Sequence, residues 1–170
     1  MDNHTEFTQI YLKPGGIYIS EKPALVSTLL GSCVSVTMFN PRLKTGAICH
    51  GLLPSCRGKK PCEKFCHEGI RFVDCSIMRM LGWFGQNGVA RGEIEVKVFG
   101  GSDMIVGGDM TSKATVGQQN ISMAFHILGK EMLRIAASDV GGSRGRKIIF
   151  STLSGEVLLK HLRKSETDYL

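Results

Sequence analysis

Two side chains in the first third of this sequence could do chemistry together. Cys33 follows a glycine bend in Val26-Ser27-Thr28-Leu29-Leu30-Gly31-Ser32-Cys33-Val34, and His50 sits in Ala47-Ile48-Cys49-His50-Gly51-Leu52-Leu53-Pro54. The first string reads as a strand, a bend and the start of a second strand, and a tight turn at Asn40-Pro41 leads into a third. Antiparallel pairing of the second and third strands brings Cys33 and His50 to the same end of one hairpin. A thiol beside an imidazole makes a nucleophile near neutral pH, because the thiolate rather than the thiol attacks. Taken alone, a free cysteine at a strand start is most often a small buried hydrophobe, and a lone histidine is most often a satisfied core residue. Their relative position across the turn is what argues for chemistry. Cys49 falls on the other face of its strand and reads as core, as does Cys75 among Val73, Ile77 and Met78. His126 and His161 have no visible partner and read as surface residues.

The elements that must position this pair follow from hydrophobic spacing. Gln9 to Leu12 and Ile17 to Ser20 read as short strands around the Pro14-Gly15-Gly16 turn; Leu25 to Leu30, Cys33 to Phe39 and Thr45 to Leu53 are longer apolar strands. Gly69 to Phe84 follows helical spacing, with Ile70, Val73, Ile77, Met80 or Leu81, and Phe84 on one stripe. Glu93 to Phe99 alternates charge with Ile94, Val96 and Val98, which predicts a strand with one face in water. Ile121, Phe125, Leu128, Met132 and Ile135 predict a second helix from about Gln118 to Ala136, ended before Gly141-Gly142. Lys147 to Ser151 and Glu156 to Leu162 read as a hairpin. Strands at both ends with two long helices inserted argue for an α+β fold.

A chain of 170 residues with 42% hydrophobic content fits one globular domain over residues 1–170, large enough to bury a core without disulfides. The net charge is +6, with Lys and Arg gathered from Arg57 to Lys64 and at Arg144, Arg146 and Lys147. Such patches attract acidic partners by sign alone, but no aromatic residues interleave with them as single-strand binding requires. A solvated basic face is therefore the reading, and nucleic acid is not expected. Pro23 to Pro41 is uncharged and about long enough to span a bilayer. Its serines, threonines and strand-like alternation argue instead for core strands, so no membrane insertion is expected. The polar start, Met1-Asp2-Asn3-His4-Thr5-Glu6, lacks the regions of a signal peptide. A cytoplasmic chain with reduced thiols is the expectation.

Five strings in order resemble the CheD family of chemoreceptor glutamine deamidases. They are Ser27-Thr28-Leu29-Leu30-Gly31-Ser32-Cys33-Val34, His50-Gly51-Leu52-Leu53-Pro54, Val98-Phe99-Gly100-Gly101-Ser102-Asp103-Met104, Val116-Gly117-Gln118-Gln119-Asn120 and Asp139-Val140-Gly141-Gly142-Ser143-Arg144-Gly145-Arg146-Lys147. The likeness runs from about Ile17 to Leu162. It implies packed mixed sheets flanked by two long helices, similar to the cysteine deamidase toxins. It also implies hydrolysis of selected glutamine amides on the cytoplasmic domain of methyl-accepting chemoreceptors, with methyl-ester hydrolysis in some members, no cofactor, and in some members a CheC-type phosphatase partner. The family's cysteine maps onto Cys33 and its histidine onto His50. Its third member, a threonine six residues before the cysteine, maps onto Ser27, with Thr28 as the fallback. Serine keeps the hydroxyl but loses the methyl that fixes the rotamer.

On this reading Cys33 forms a thioester, His50 moves the protons, Ser27 orients the far ring nitrogen, and the backbone around Gly31 and Ser32 supplies an oxyanion hole. The basic, cysteine-rich insertion at about 55–67 has no counterpart in the family pattern. Cys56, Cys62, Cys66 and His67 could in principle close a tetrahedral zinc site. Their irregular spacing favours free thiols over a metal or redox cluster, so no metal is expected. Two rival functions stand beside the enzyme: a non-catalytic adaptor that grips chemoreceptor or phosphatase, and a metal-binding regulator resting on the insertion alone.

Overall fold

The computed structural model of the protein describes residues 6–56, 71–103 and 113–167. Its strands are β1 (Thr8–Tyr11), β2 (Ile17–Ile19), β3 (Ala24–Leu30), β4 (Val34–Asn40), β5 (Thr45–Cys49), β6 (Glu95–Gly100), β7 (Ile135–Val140), β8 (Arg146–Ser151) and β9 (Val157–His161). Two long helices, α1 (Val73–Gln86) and α2 (Val116–Lys130), a short α3 (Lys164–Thr167) and a 3-10 turn at Arg91–Glu93 complete the described elements. The strands form two mixed sheets, one in the order β1-β3-β8-β9 and the other β2-β5-β4-β6-β7. The α+β expectation holds.

β4 explains the layering. Every one of its residues is buried, so both of its faces are covered. Val34, Val36 and Met38 pack with Ile77, Met80 and Phe84 of α1 and with Ala124 and Leu128 of α2. Phe39, on the other face, packs with Ile148 and Phe150 of the four-stranded sheet. Helices, five-stranded sheet and four-stranded sheet thus stack in that order, and the bend at Gly31-Ser32 carries the chain from β3 in one sheet to β4 in the other. Each large apolar side chain fully buried in these layers contributes about 1.5–3 kcal/mol. The uncharged stretch between Pro23 and Pro41 is these two strands. No helix among the described residues is long and apolar enough to cross a membrane.

α2 begins with a capping box: Thr115 Oγ1 accepts from the Gln118 N–H, and Gln118 Oε1 accepts from the Thr115 N–H. Its end departs from the periodicity. Met132 takes the left-handed conformation (φ 56) and the Leu133 N–H reaches back to Leu128 O at 2.9 Å. That is a Schellman ending without glycine, and it frees residues 135–140 to form β7. The buried face of α2 is also one position off the expected stripe: Asn120, Ala124, Ile127 and Leu128 are buried, whereas Phe125 and Met132 are exposed.

Two charged positions are more enclosed than expected. Lys97 of β6 faces the four-stranded sheet, where its Nζ donates to Gly155 O at 2.8 Å. Arg146 belongs to no solvated basic face. Its buried guanidinium donates to Asp139 Oδ1 (2.6 Å), Ser102 Oγ (2.7 Å) and Gly141 O (2.7 Å).

Candidate active site

The β4–β5 hairpin sets the register that matters. Thr37 lies opposite Ile48 and Met38 opposite Ala47. The same register continues to Val34 and Gly51, which exchange both backbone bonds at 3.0 and 2.8 Å. It sets Ser35 opposite His50 and Cys33 opposite Leu52, so Cys33 and His50 are diagonal neighbours on one face. Such neighbours have Cβ atoms within about 7–8 Å, a gap that a ring and a thiol can close. The face is the one turned toward the four-stranded sheet, and Cys33 packs on that side's core. Cys33 is half-buried, while His50 is only 1% exposed.

The backbone of His50 is gripped by the Pro14-Gly15-Gly16 turn: its N–H donates to Gly16 O (2.9 Å) and its carbonyl accepts from the Gly15 N–H (2.8 Å). The ring meets Thr28. Thr28 Oγ1 lies 2.7 Å from His50 Nδ1 and also donates its single proton to Leu12 O at 2.7 Å. With that proton committed, the hydroxyl can only accept from the ring, so Nδ1 carries the hydrogen and Nε2 presents its lone pair.

This corrects the sequence expectation for the third residue. Along β3 the buried residues are Ala24, Val26, Thr28 and Leu30, and Ser27 falls on the opposite face with Leu25 and Leu29. Ser27 Oγ donates to Ile10 O at 3.4 Å, away from the ring. The hydroxyl on His50 stands five residues before Cys33, not six.

The bend that carries Cys33 is held by its carbonyls. Gly31 O accepts from the Ser102 N–H (2.8 Å), Cys33 O from the Gly101 N–H (2.8 Å), and Ser32 O from Asn120 Nδ2 (3.0 Å). The N–H groups of Gly31, Ser32 and Cys33 donate to no backbone carbonyl among the described residues. Gly100, at φ +103, permits the closest approach, since a Cβ there would collide with Cys33 O.

Burial sets the protonation of the pair. It pushes the Cys33 thiol up from its ordinary 9.0, against its own backbone N–H, which works the other way. It pushes His50 down from 6.5 to about 4. Burial thus favours the neutral form of both the Cys33 thiol and the His50 imidazole, in place of the near-neutral imidazole titration expected from an unperturbed ring. Cys49 is fully buried with its thiol pushed up to about 12, an inert core residue, and Cys75 is buried as expected. His126 is exposed. His161 has a partner after all, its Nε2 lying 3.1 Å from Asp139 Oδ2. Cys62, Cys66 and His67 lie outside the described residues, and no metal-binding group of His, Cys, Asp or Glu occurs among those described.

Sequence reasoning missed Asn120 and Ser35. Asn120 is fully buried on α2, and Ser35 lies directly across from His50. Asn120 was signalled by its i, i+4, i+7, i+8 spacing with Ala124, Ile127 and Leu128.

A tautomer-fixed imidazole on one face with a half-open thiol can run thiol-based acyl transfer. Comparison with known proteins places the chain in a family. A family model described as "CheD chemotactic sensory transduction" matches residues 52–161. A Geobacter sulfurreducens protein named probable chemoreceptor glutamine deamidase CheD 2 is 47% identical over 165 residues, covering 97% of both chains. Probable chemoreceptor glutamine deamidases CheD from Maridesulfovibrio salexigens (36% over 164 residues, 95% of this chain and 96% of that one) and Vibrio vulnificus (31% over 167 residues, 95% and 75%) are also similar. The chain belongs to the CheD family.

Proposed function

We propose that this protein deamidates selected glutamine side chains of chemoreceptors, with Cys33 as nucleophile, His50 as general acid and base, and Thr28 as the residue that orients His50. The observation that carries the reading is the direction of the hydrogen bonds at Thr28. Because its proton goes to Leu12 O, it holds His50 as the Nδ1–H tautomer, on the strand face it shares with Cys33. The substrate class comes from the relatives named chemoreceptor glutamine deamidases.

The reaction starts from the neutral pair. His50 Nε2 takes the Cys33 proton as the sulfur attacks the glutamine carboxamide carbon, so no stable ion pair is needed beforehand. The oxygen that gains charge is met by N–H groups of the 31–33 bend, whose carbonyls are already engaged elsewhere. The imidazolium returns its proton to the departing nitrogen, ammonia leaves and a thioester remains. His50 then deprotonates a water, which attacks the thioester carbon; the thiol is reprotonated and glutamate is released. A methyl ester follows the same path with methanol as the leaving group. Depressed basicity of His50 slows the first proton transfer but makes the imidazolium a strong acid toward the leaving amine.

The test is incubation with a chemoreceptor cytoplasmic fragment and peptide mass spectrometry for amide-to-acid conversion. The wild type is expected to convert specific glutamines. Cys33→Ala should convert none while still binding the fragment. Conversion by Cys33→Ala, or binding without conversion by the wild type, overturns the proposal; the second result would mark an adaptor.

A further inference from the structure

Beyond Val34 and Gly51 the hairpin comes apart. The next bonded pair of that ladder would be Ser32 with Leu53. Leu53 has turned instead toward residues 71–73: its N–H donates to Arg71 O at 3.3 Å and its carbonyl accepts from the Val73 N–H at 2.9 Å. The missing rung is supplied from α2. Asn120 Nδ2 donates one hydrogen to Ser32 O (3.0 Å) and the other to Leu52 O (3.1 Å). These carbonyls belong to the residue before Cys33 and to the second residue after His50.

We infer that Asn120 is a positioning residue that replaces the lost rung of the hairpin and fixes the distance from the Cys33 thiol to the His50 ring. Three features support it. The carboxamide can sit only one way round, because the flipped amide would set its oxygen against two carbonyl oxygens. Its own Oδ1 is buried without a partner among the described residues, an unpaired acceptor that a purely structural contact would be expected to relieve. Its backbone is held rigidly, since α2 enters this point through the Thr115 cap and through Gly117, where a Cβ would run into the carbonyl oxygens of Gly101 and Ser102. Both side-chain bonds of Asn120 go to backbone carbonyls and neither goes to the thiol or the ring, so it acts through the two backbones it ties.

This inference rests on the Cys33–His50 reading above, and its test separates the two. Steady-state deamidation of a receptor fragment is measured for the wild type, Asn120→Ala, Asn120→Asp and Leu128→Ala. Leu128→Ala removes core packing from the same helix with no bond to the site and serves as the matched destabilised control. For Asn120→Ala the expected result is a kcat loss on the order of 10²-fold with KM unchanged, the size of effect that small misplacement of reacting groups produces. Leu128→Ala should lose thermal stability but keep kcat at a temperature where it is folded. Asn120→Asp keeps the shape, and its protonated carboxyl still donates one bond, whereas the ionised form donates none and repels both carbonyls. Its kcat relative to wild type should therefore recover as pH is lowered from about 8 to about 5.5, toward the carboxyl range. That readout survives if Asn120→Ala does not fold. Wild-type kcat in Asn120→Ala overturns the positioning role, as does a pH-independent ratio for Asn120→Asp or an equal kcat loss in Leu128→Ala. If Cys33→Ala is itself active, the nucleophile reading fails instead.

Discussion

The two ends of the β4–β5 hairpin are built on opposite terms. At the turn end both polar atoms of the Asn40 side chain have partners: its Oδ1 accepts from the Leu43 N–H (2.8 Å) and its Nδ2 donates to Glu93 O (2.9 Å). Arg42 and Glu93 pair outside it at 3.0 Å. At the other end the strands part, a second asparagine bridges the gap with its donors alone, and two buried polar atoms, Ser35 Oγ and Asn120 Oδ1, have no partner among the described residues. A closed end has its hydrogen bonds saturated, as stability demands. The open end holds a half-buried thiol on the strand face it shares with His50 and bears the cost in unsatisfied groups, which is where active sites put their strain. Changes at the open end should therefore act on turnover, and changes at the turn end on stability.

Thr28→Ala should show the largest contrast with its neighbour. Losing the acceptor on Nδ1 frees the ring and the tautomer, and a kcat loss on the order of 10²-fold is expected from misplacement of this kind. Ser27→Ala, on the outer face, should leave kcat unchanged and stability within about 0.5 kcal/mol. Steady-state deamidation of both variants checks this, and equal losses would erase the distinction.

Acid should also weaken the open end. His50 binds a proton at 6.5 when unfolded but only at about 4 when folded, so the unfolded chain takes up more protons between these values. The stability His50 contributes is present above 6.5 and lost as pH falls through about 4, amounting to roughly 3 kcal/mol. Denaturant midpoints from pH 7 to pH 4 should fall more steeply for the wild type than for His50→Gln. Asp139 acts lower: burial works to raise its carboxyl, but hydrogen bonds from Arg146 and His161 outweigh this and hold it below 3.8.

At the turn end, Asn40→Ala leaves the part-buried Glu93 carbonyl and Leu43 amide without their side-chain partner and should cost about 1 kcal/mol with no change in kcat. Arg42→Ala removes an exposed ion pair and should cost less than about 1 kcal/mol. Chemical unfolding beside deamidation rates separates both from the open-end variants.

How much of this was legible in the sequence follows from the same geometry. Cys33 and His50 could be paired because a short turn at residues 40–45 sets the register of everything beyond it. The order and class of the elements were readable from periodicity. The parity of β3 was not: Leu25, Ser27 and Leu29 alternate as plausibly as Val26, Thr28 and Leu30, and only the second sheet decides which set is covered. The end of α2 was hidden because Met132 takes a conformation usually left to glycine while Ile135 keeps the helical spacing. The depressed basicity of His50 could not be read either, since burial by a distant sheet leaves no local mark.

The most direct measurement is rapid acid quench of the protein turning over a receptor fragment, followed by peptide mass spectrometry for a hydroxylamine-labile thioester. The account predicts the receptor acyl group on Cys33, accumulating when deacylation is slowed. An adduct on Cys56, the other half-buried thiol among the described residues, or turnover with no thioester on any cysteine, would contradict it.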